Sequence, residues 1–172
     1  VRAADQVISA LRYDDEEIRK ATLSSLRKHV RRGLVPLNKL ANHKIDAVRT
    51  VIAEAVDCPT EILENLASDK SEDVRAGVAG NSNCPVALLE ILAEQGWGIA
   101  ISVACNPSCP VALLEILAEH GGGEDGRCLV MEAVAEDPRC PASALEVLAK
   151  DEEEDVRLAA LANPNCPDHL KA

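Results

Sequence analysis

The stretch Asn163-Pro164-Asn165-Cys166-Pro167 is the clearest copy of a short motif that recurs along this chain of 172 residues. Its Cys-Pro pair is repeated with the cysteine at positions 58, 84, 109 and 140. The intervals between successive cysteines are 26, 25, 31 and 26 residues. A near-constant period of this size is typical of stacked structural repeats, each of which buries its apolar face against its neighbours. The spacing therefore predicts a repeat protein before any single residue is considered.

Each repeat carries two short helical patterns joined by turns. In the first, which follows Cys-Pro, Ile62, Leu63 and Leu66 share one helical face. In the second, Val74 and Val78 are one helical turn apart and face inward together. Helices this short are unstable alone in water, so we expect their order to come from stacking. The predicted fold class is all-α, a solenoid of about six to seven two-helix repeats without a β-sheet.

A hydrophobic residue followed by arginine marks an equivalent position in most repeats. The pairs are Ile18-Arg19, Val48-Arg49, Val74-Arg75 and Val156-Arg157, whereas Ile99-Ala100 and Val130-Met131 depart from the pattern. We predict regular acidic repeats of about 25–31 residues over 48–172, and degenerate basic repeats over 1–47. A glycine-rich insertion at 121–126 explains the longest interval, because surface corners tolerate extra length. A single solenoid domain over 1–172 is the expectation.

These motifs resemble the leucine-rich repeat variant family. The resemblance rests on Asn-Pro-Asn-Cys-Pro at 163–167, Leu-Leu-Glu-Ile-Leu-Ala at 113–118 and most of it at 89–93, and Asp-Val-Arg-Leu-Ala-Ala-Leu-Ala-Asn at 155–163. It implies a right-handed superhelix of alternating α- and short or 3₁₀-helices, similar to HEAT and armadillo solenoids. Some family members carry a cysteine-rich 4Fe–4S segment ahead of the repeats. No cysteine precedes Cys58, so no cofactor is assigned to this chain.

The composition and the charge of the chain narrow the possible fold classes and binding partners. Aromatic residues make up 1% of the chain, so Ala, Val and Leu must fill the core, which favours closely packed helices. The net charge is −11, divided into +5 over residues 1–50 and −16 over residues 51–172. No apolar run reaches the length of a membrane span, and no targeting leader precedes the repeats. We expect a cytoplasmic protein, and the chain's end partway through a repeat indicates a piece of a longer one.

The recurring cysteines and arginines are predicted to be structural. Equivalent residues of stacked helices lie roughly 10 Å apart, too far for a disulfide. We therefore interpret the repeated cysteines as reduced, buried thiols: Cys58, Cys84, Cys109, Cys140 and Cys166. Arg49, Arg75 and Arg157 are interpreted as contacts that hold neighbouring repeats in register, with a ladder for an acidic ligand as the alternative. A four-thiol metal site that adds Cys105 and Cys128 is disfavoured by the C-x₃-C spacing.

Two features are candidates for contact with a partner. The basic stretch, residues 27–32, contains Arg27, Lys28, Arg31 and Arg32. An acidic protein surface is favoured over nucleic acid, because no aromatic residue interleaves for base stacking and the remaining chain is acidic. Trp97 and Met131 lie where the hydrophobic-arginine pattern is lost. Either they contact a partner or they fill space left by irregular repeats.

The sequence shows no catalytic constellation. Its four histidines, at 29, 43, 120 and 169, belong to different repeats, and none joins a nucleophile and an orienting acid in a recognisable motif. We therefore predict a non-enzymatic helical-repeat scaffold that mediates protein–protein interaction. One alternative is the accessory arm of an iron–sulfur redox protein whose cluster segment lies N-terminal to this chain. The other is nucleic-acid binding through the basic stretch.

Overall fold

The structure, a computed structural model, describes residues 8–10, 16–121 and 126–171. It confirms the all-α prediction: eleven α-helices and a short 3₁₀-helix occur in those ranges, and no strand does. The helices are α1 (Glu16–Arg31), α2 (Leu37–Leu40), α3 (Asp46–Ala53), α4 (Thr60–Leu66), α5 (Glu72–Ala79), α6 (Val86–Ala93), α7 (Trp97–Ala104), α8 (Val111–His120), α9 (Arg127–Glu136), α10 (Ala142–Leu148) and α11 (Glu154–Ala162). The 3₁₀-helix is Asp168–Leu170.

From α3 onward, two short helices alternate as the repeat predicts. Helices α4, α6, α8 and α10 each begin directly after a Cys-Pro pair, with the proline in an extended conformation. Both classes are α-helical and seven to ten residues long. The alternation of α- and 3₁₀-helices implied by the family resemblance is therefore not what these repeats show. Seven or more residues are enough to close regular i to i−4 hydrogen bonds.

The chain separates into two compact units, Val1–Cys84 and Pro85–Ala172. Within the first unit, α3 packs against α1, α4 and α5. Within the second, α9 packs against α7, α8 and α11, and α8 also packs against α10. Aliphatic side chains form both cores, for example Ile52 and Leu63 in the first and Leu114 and Leu145 in the second, all fully buried. The single domain over 1–172 stays a prediction.

The predicted equivalence of Ile18-Arg19 with the hydrophobic-arginine pairs of the later repeats is wrong. Val48 and Val74 are 0% exposed, whereas Ile18, assigned to the same repeat position, is 41% exposed. Helix α1 is 16 residues long and buries Thr22, Leu26 and Val30 instead. A helix of that length has its own 3.6-residue stripe, so its inward face need not coincide with that of the shorter helices.

Each Cys-Pro corner is a hydrogen-bonded turn that begins at an asparagine or an equivalent residue. The backbone N–H of Cys84 donates to the carbonyl of Asn81 at 2.9 Å, and that of Cys166 donates to Asn163 at 3.0 Å. The asparagine side-chain oxygen also accepts the N–H two residues on, from Asn83 and Asn165 respectively. This local bond closes an Asx-turn.

The same asparagines tie each corner to the corner before it, a role that the sequence analysis missed. Asn81 donates from Nδ2 to the carbonyls of Ala53 (2.6 Å) and Ala55 (2.8 Å). Asn163 does the same to Ala135 (2.6 Å) and Asp137 (2.9 Å). The carbonyls of Ala55 and Asp137 also accept the N–H of Cys58 and of Cys140, so each buried asparagine adds a second donor to the carbonyl that closes the preceding turn.

Replacing Asn81 by alanine should destabilise the first unit by about 2 kcal/mol, because the buried carbonyl of Ala53 loses its side-chain donor and that of Ala55 keeps only the N–H of Cys58. The matched control is Asn65→Ala, which makes the same chemical change on the exposed surface of α4 and should stay within about 0.5 kcal/mol. Urea denaturation followed by far-UV circular dichroism measures both. Equal effects would show that Asn81 does not link the corners.

Candidate protein-binding surface

The arginines predicted to be structural close the turn ahead of their own helix. Arg49, Arg75 and Arg157 each donate from Nη1 to the carbonyl six residues earlier, at 2.6–2.7 Å. Arg49 alone of the three also forms a bidentate pair, with Asp69: Nε to Oδ2 at 2.6 Å and Nη2 to Oδ1 at 2.8 Å. Because Asp69 belongs to the repeat after that of Arg49, this ion pair links two successive repeats. Arg75 has a buried Nε without a hydrogen-bond partner in the described part of the chain.

The Cys140 corner has an Asp-Arg pair in place of the asparagines. Asp137 replaces the asparagine, and its carboxylate accepts two bonds from Arg139, at 3.0 Å and 2.6 Å. The same guanidinium donates to four carbonyls of the preceding corner: Ala104, Asn106, Pro107 and Cys109. The carbonyls at the equivalent positions one repeat later also accept side-chain hydrogen bonds. Asn163 donates to Ala135 and Asp137, and Asn165 donates to Pro138 and Cys140. The Arg139 guanidinium therefore makes the hydrogen bonds to the preceding corner that two asparagine amides make one repeat later.

The Asp137–Arg139 pair is favourable because each ion offsets the other's burial. Burial by itself raises the pKa of Asp137, but the side-chain and backbone hydrogen bonds from Arg139 outweigh it and hold the pKa below its ordinary value. The hydrogen bond to Asp137 raises the pKa of Arg139. Both groups are therefore charged at neutral pH.

Met131 is not available to a partner, which corrects its assignment as a candidate contact. Its side chain is 1% exposed and forms part of the core of the second unit. Asp151, whose position corresponds to that of Asp69, instead accepts a hydrogen bond at 3.2 Å from Arg127, one helical turn before Met131. An uncharged residue at the arginine position can thus pack inward while a neighbouring arginine supplies the charge.

The repeated cysteines are free, buried thiols. Burial raises the pKa of Cys58, Cys84 and Cys109 to about 11, and that of Cys140 to about 12. They are therefore protonated at neutral pH and poor nucleophiles. Cys166 is buried in the same way, whereas Cys105 and Cys128 are exposed. Over the described ranges, no three His, Cys, Asp or Glu side chains come together in a group that could hold a metal ion.

The basic stretch lies at the C-terminal end of α1 and in the turn after it. Lys28, Arg31 and Arg32 are exposed, while Arg27 is paired with Glu54 through two hydrogen bonds of 2.9 and 3.2 Å. Basic side chains in a last helical turn also interact favourably with the helix dipole. The structure therefore gives part of this charge a role in the fold, and leaves three cations on the surface.

Trp97 stands at the first residue of α7 and is 42% exposed. The buried part of its indole covers Gly126, at the end of the glycine-rich insertion. A Cβ atom at Gly126 would lie 2.5 Å from the indole Cγ, and the φ of +72° also favours glycine there. Trp97 thus packs against Gly126 and is also partly exposed to solvent.

A surface feature that the sequence analysis did not identify is a set of exposed aliphatic residues in repeat register. We call it the aliphatic row, and it consists of Val86, Ile91, Val111, Ile116 and Val147. Ile91, Ile116 and Val147, which are 48–59% exposed, occupy the seventh position after the repeated cysteine. The corresponding residue of the first unit is the polar Asn65. The row therefore belongs to the second unit, on helices α6, α8 and α10.

A groove of about 740 Å³ separates α6 from α8 within this surface. Its floor consists of Ala93, Leu113 and Leu117, and Val86 and Ile116 form part of its walls. Glu90 and Glu94 line it from α6. Grooves of this size and apolar character are typical ligand sites.

A local sequence difference leaves a carboxylate without a partner among the described residues at this groove. Between α8 and α10, Ser143 Oγ donates to Glu115 Oε1 at 2.6 Å. One repeat earlier, the residues at these positions are Ala112 and Glu90, and alanine has no donor. Glu90 therefore makes no hydrogen bond or ion pair within the described residues, and its carboxylate remains available at the groove.

Comparison of the chain with protein-family models, curated proteins and solved structures yields no match. The fold and the repeated corners define a helical-repeat-like, all-α protein. Across the described ranges, every helix falls short of the length and apolarity that crossing a bilayer requires.

Proposed function

We propose that this protein is a non-enzymatic helical-repeat scaffold that binds another protein through the aliphatic row. The observation that carries the proposal is the exposure of Ile91, Ile116 and Val147 at one repeat position. Isolated exposed aliphatic residues are ordinary, but a set repeated on neighbouring helices forms a continuous apolar surface. Such surfaces, bordered by charged residues, are typical of protein–protein contacts.

The architecture we propose for this scaffold is a right-handed solenoid. Its support is the spacing of the Cys-Pro corners together with the asparagine bonds that connect each corner to the one 26–28 residues earlier. Repeats joined in this way present equivalent residues at regular intervals along one face. Side chains at a single repeat position can therefore act as one binding surface.

Binding to nucleic acid receives less support than binding to protein. Arg27 is engaged by Glu54, and the second unit carries sixteen Asp and Glu against five Lys and Arg, a net charge of −11 that repels phosphate. An assay of DNA or RNA affinity across salt concentrations, repeated with Arg31→Glu/Arg32→Glu, separates the two hypotheses.

Substituting Ile91→Ser/Val147→Ser should abolish capture of a partner that the unchanged chain retains from a lysate of its source. Losing two apolar anchors from an interface weakens binding by about tenfold or more. The control is Leu158→Ser, an equally exposed aliphatic residue on α11 outside the row. Quantitative mass spectrometry of the captured proteins is the measurement. A partner set unaffected by the double substitution, or turnover of a small molecule by the chain, would refute the proposal.

A further inference from the structure

The geometry points to a specific kind of partner: an amphipathic α-helix with an aliphatic face and flanking Lys or Arg residues, bound in the groove between α6 and α8. This inference rests on the proposed function, because it assigns one occupant to part of the same surface. It adds the chemistry and secondary structure of the segment that binds.

The apolar lining determines which recognition mode is possible. Addition of a strand needs an exposed sheet edge, and the described residues contain no strand. Recognition of a proline-rich segment needs walls of Trp, Tyr or Phe, and the groove is lined by aliphatic residues, two glutamates and His120, with none of those three. A helix laid between two helices is the mode that remains. Its apolar side chains would contact Leu113, Ile116 and Leu117.

The dimensions of the groove agree with a short helical segment. Helix α8 has ten residues, which corresponds to a length of roughly 15 Å. A partner helix lying along it would make contact over two to three turns, enough for anchors at i, i+3 or i+4, and i+7. The anchor side chains of the partner helix need only moderate size. They would fit between Val86 and Ile116, above a floor of buried side chains.

The charge around the groove determines which charged residues should flank the apolar face of the partner helix. Glu90 and Glu94 border the groove on α6, and both carboxylates are exposed and unpaired within the described residues. The surrounding unit has a net charge of −11, so its field attracts cations and repels acidic segments. Lys or Arg residues one turn from the apolar anchors would pair with the two glutamates.

The test uses the full chain and designed, fluorescently labelled helical peptides in anisotropy titrations. The first is an amphipathic peptide of Leu, Ala and Lys; the second replaces every Lys by Glu; the third scrambles the first so that it has no apolar face. We expect the first to bind and the other two to bind at least about tenfold more weakly, since apolar anchors and charge complementarity are both required.

Three variants of the protein locate the binding. Ile116→Ser should weaken binding of the Lys-containing peptide by about tenfold or more. Glu90→Gln/Glu94→Gln should weaken it about threefold to tenfold, through loss of two exposed ion pairs. The matched control is Glu61→Gln/Glu64→Gln, which makes the same change in net charge on α4 of the first unit and should have no effect. All of these residues are exposed, so the circular dichroism spectra should be unchanged.

Three results would overturn the inference. Equal binding of the Lys peptide by all variants would mean that a diffuse charge, not the groove, attracts it. A dimer that dissociates on Ile116→Ser in sedimentation equilibrium would mean that a second copy of this chain occupies the groove. Failure of every peptide, combined with partner capture that still depends on Ile91 and Val147, would reject the helix and leave the proposed function standing. Failure of both would reject both.

Discussion

Substituting Arg139 by methionine is expected to destabilise the second unit by about 3 kcal/mol. The change removes four hydrogen bonds to backbone carbonyls of the preceding corner and leaves the Asp137 carboxylate, which is 9% exposed, without its cation. The estimate takes account of the partial exposure of Arg139, whose side chain is 33% accessible. Urea denaturation followed by the fluorescence of Trp97, the single tryptophan, reports on this unit.

The double substitution Asp137→Asn/Arg139→Asn should restore most of that loss. It recreates the Asn-x-Asn arrangement of Asn163 and Asn165, whose amides donate to the four equivalent carbonyls one repeat later. Arg127→Met is the comparison: Arg127 is 45% exposed and, within the described part of the chain, makes one hydrogen bond of 3.2 Å to Asp151, so its loss takes no donor from a backbone carbonyl and should cost less than Arg139→Met. If the asparagine pair is as unstable as Arg139→Met, the two arrangements are not equivalent.

Arg49→Met is expected to destabilise the first unit by about 3–4 kcal/mol. The Arg49–Asp69 pair is nearly buried, with side-chain exposures of 8% and 10%, so removing the cation leaves an uncompensated carboxylate. Arg75→Met is the matched comparison: Arg75 makes the same turn-closing bond but has no acidic partner among the described residues, so about 1 kcal/mol is expected. Arg49→Met/Asp69→Leu should recover much of the loss, because no charge is then left buried. Urea denaturation measures all three.

The same pair predicts how stability changes with pH. The hydrogen bond from Arg49 lowers the pKa of Asp69 below its ordinary value. A carboxyl whose pKa is depressed by folding stabilises the fold above its unfolded pKa of about 3.9, and this stabilisation is lost as the pH falls through the folded pKa. The free-energy difference between the unchanged chain and Arg49→Met should therefore shrink below about pH 4. A difference that is constant down to pH 2 would contradict the assignment.

Local patterns in the sequence were sufficient to predict the elements. The 3.6-residue spacing of Ile62, Leu63 and Leu66, and the Cys-Pro pair ahead of them, predicted a short helix where α4 lies. The prediction depends only on neighbours a few residues away, which is why it succeeded from one sequence. It failed for Ile18, where the surrounding helix is longer and its inward face is chosen by packing against α3.

The contacts between repeats could not be predicted in the same way. The sequence pattern showed Asp137-Pro138-Arg139-Cys140-Pro141 only as another copy of the motif at 163–167. In the structure, both arrangements bond the same set of carbonyls about 26–35 residues earlier. Which polar side chain reaches those acceptors depends on the path of two corners in space, and two chemically different solutions satisfy the same requirement.

The sequence by itself determined that this protein is helical, that its turns recur at a near-constant period and that its five repeated cysteines are buried. Those properties follow from local periodicity and from the chemistry of single side chains. Only the tertiary structure decided that Met131 is buried, that Arg139 replaces two asparagines and that a groove opens between α6 and α8. These features depend on the distance between helices of different repeats, which is decided when hydrogen bonds and apolar contacts between them are satisfied together.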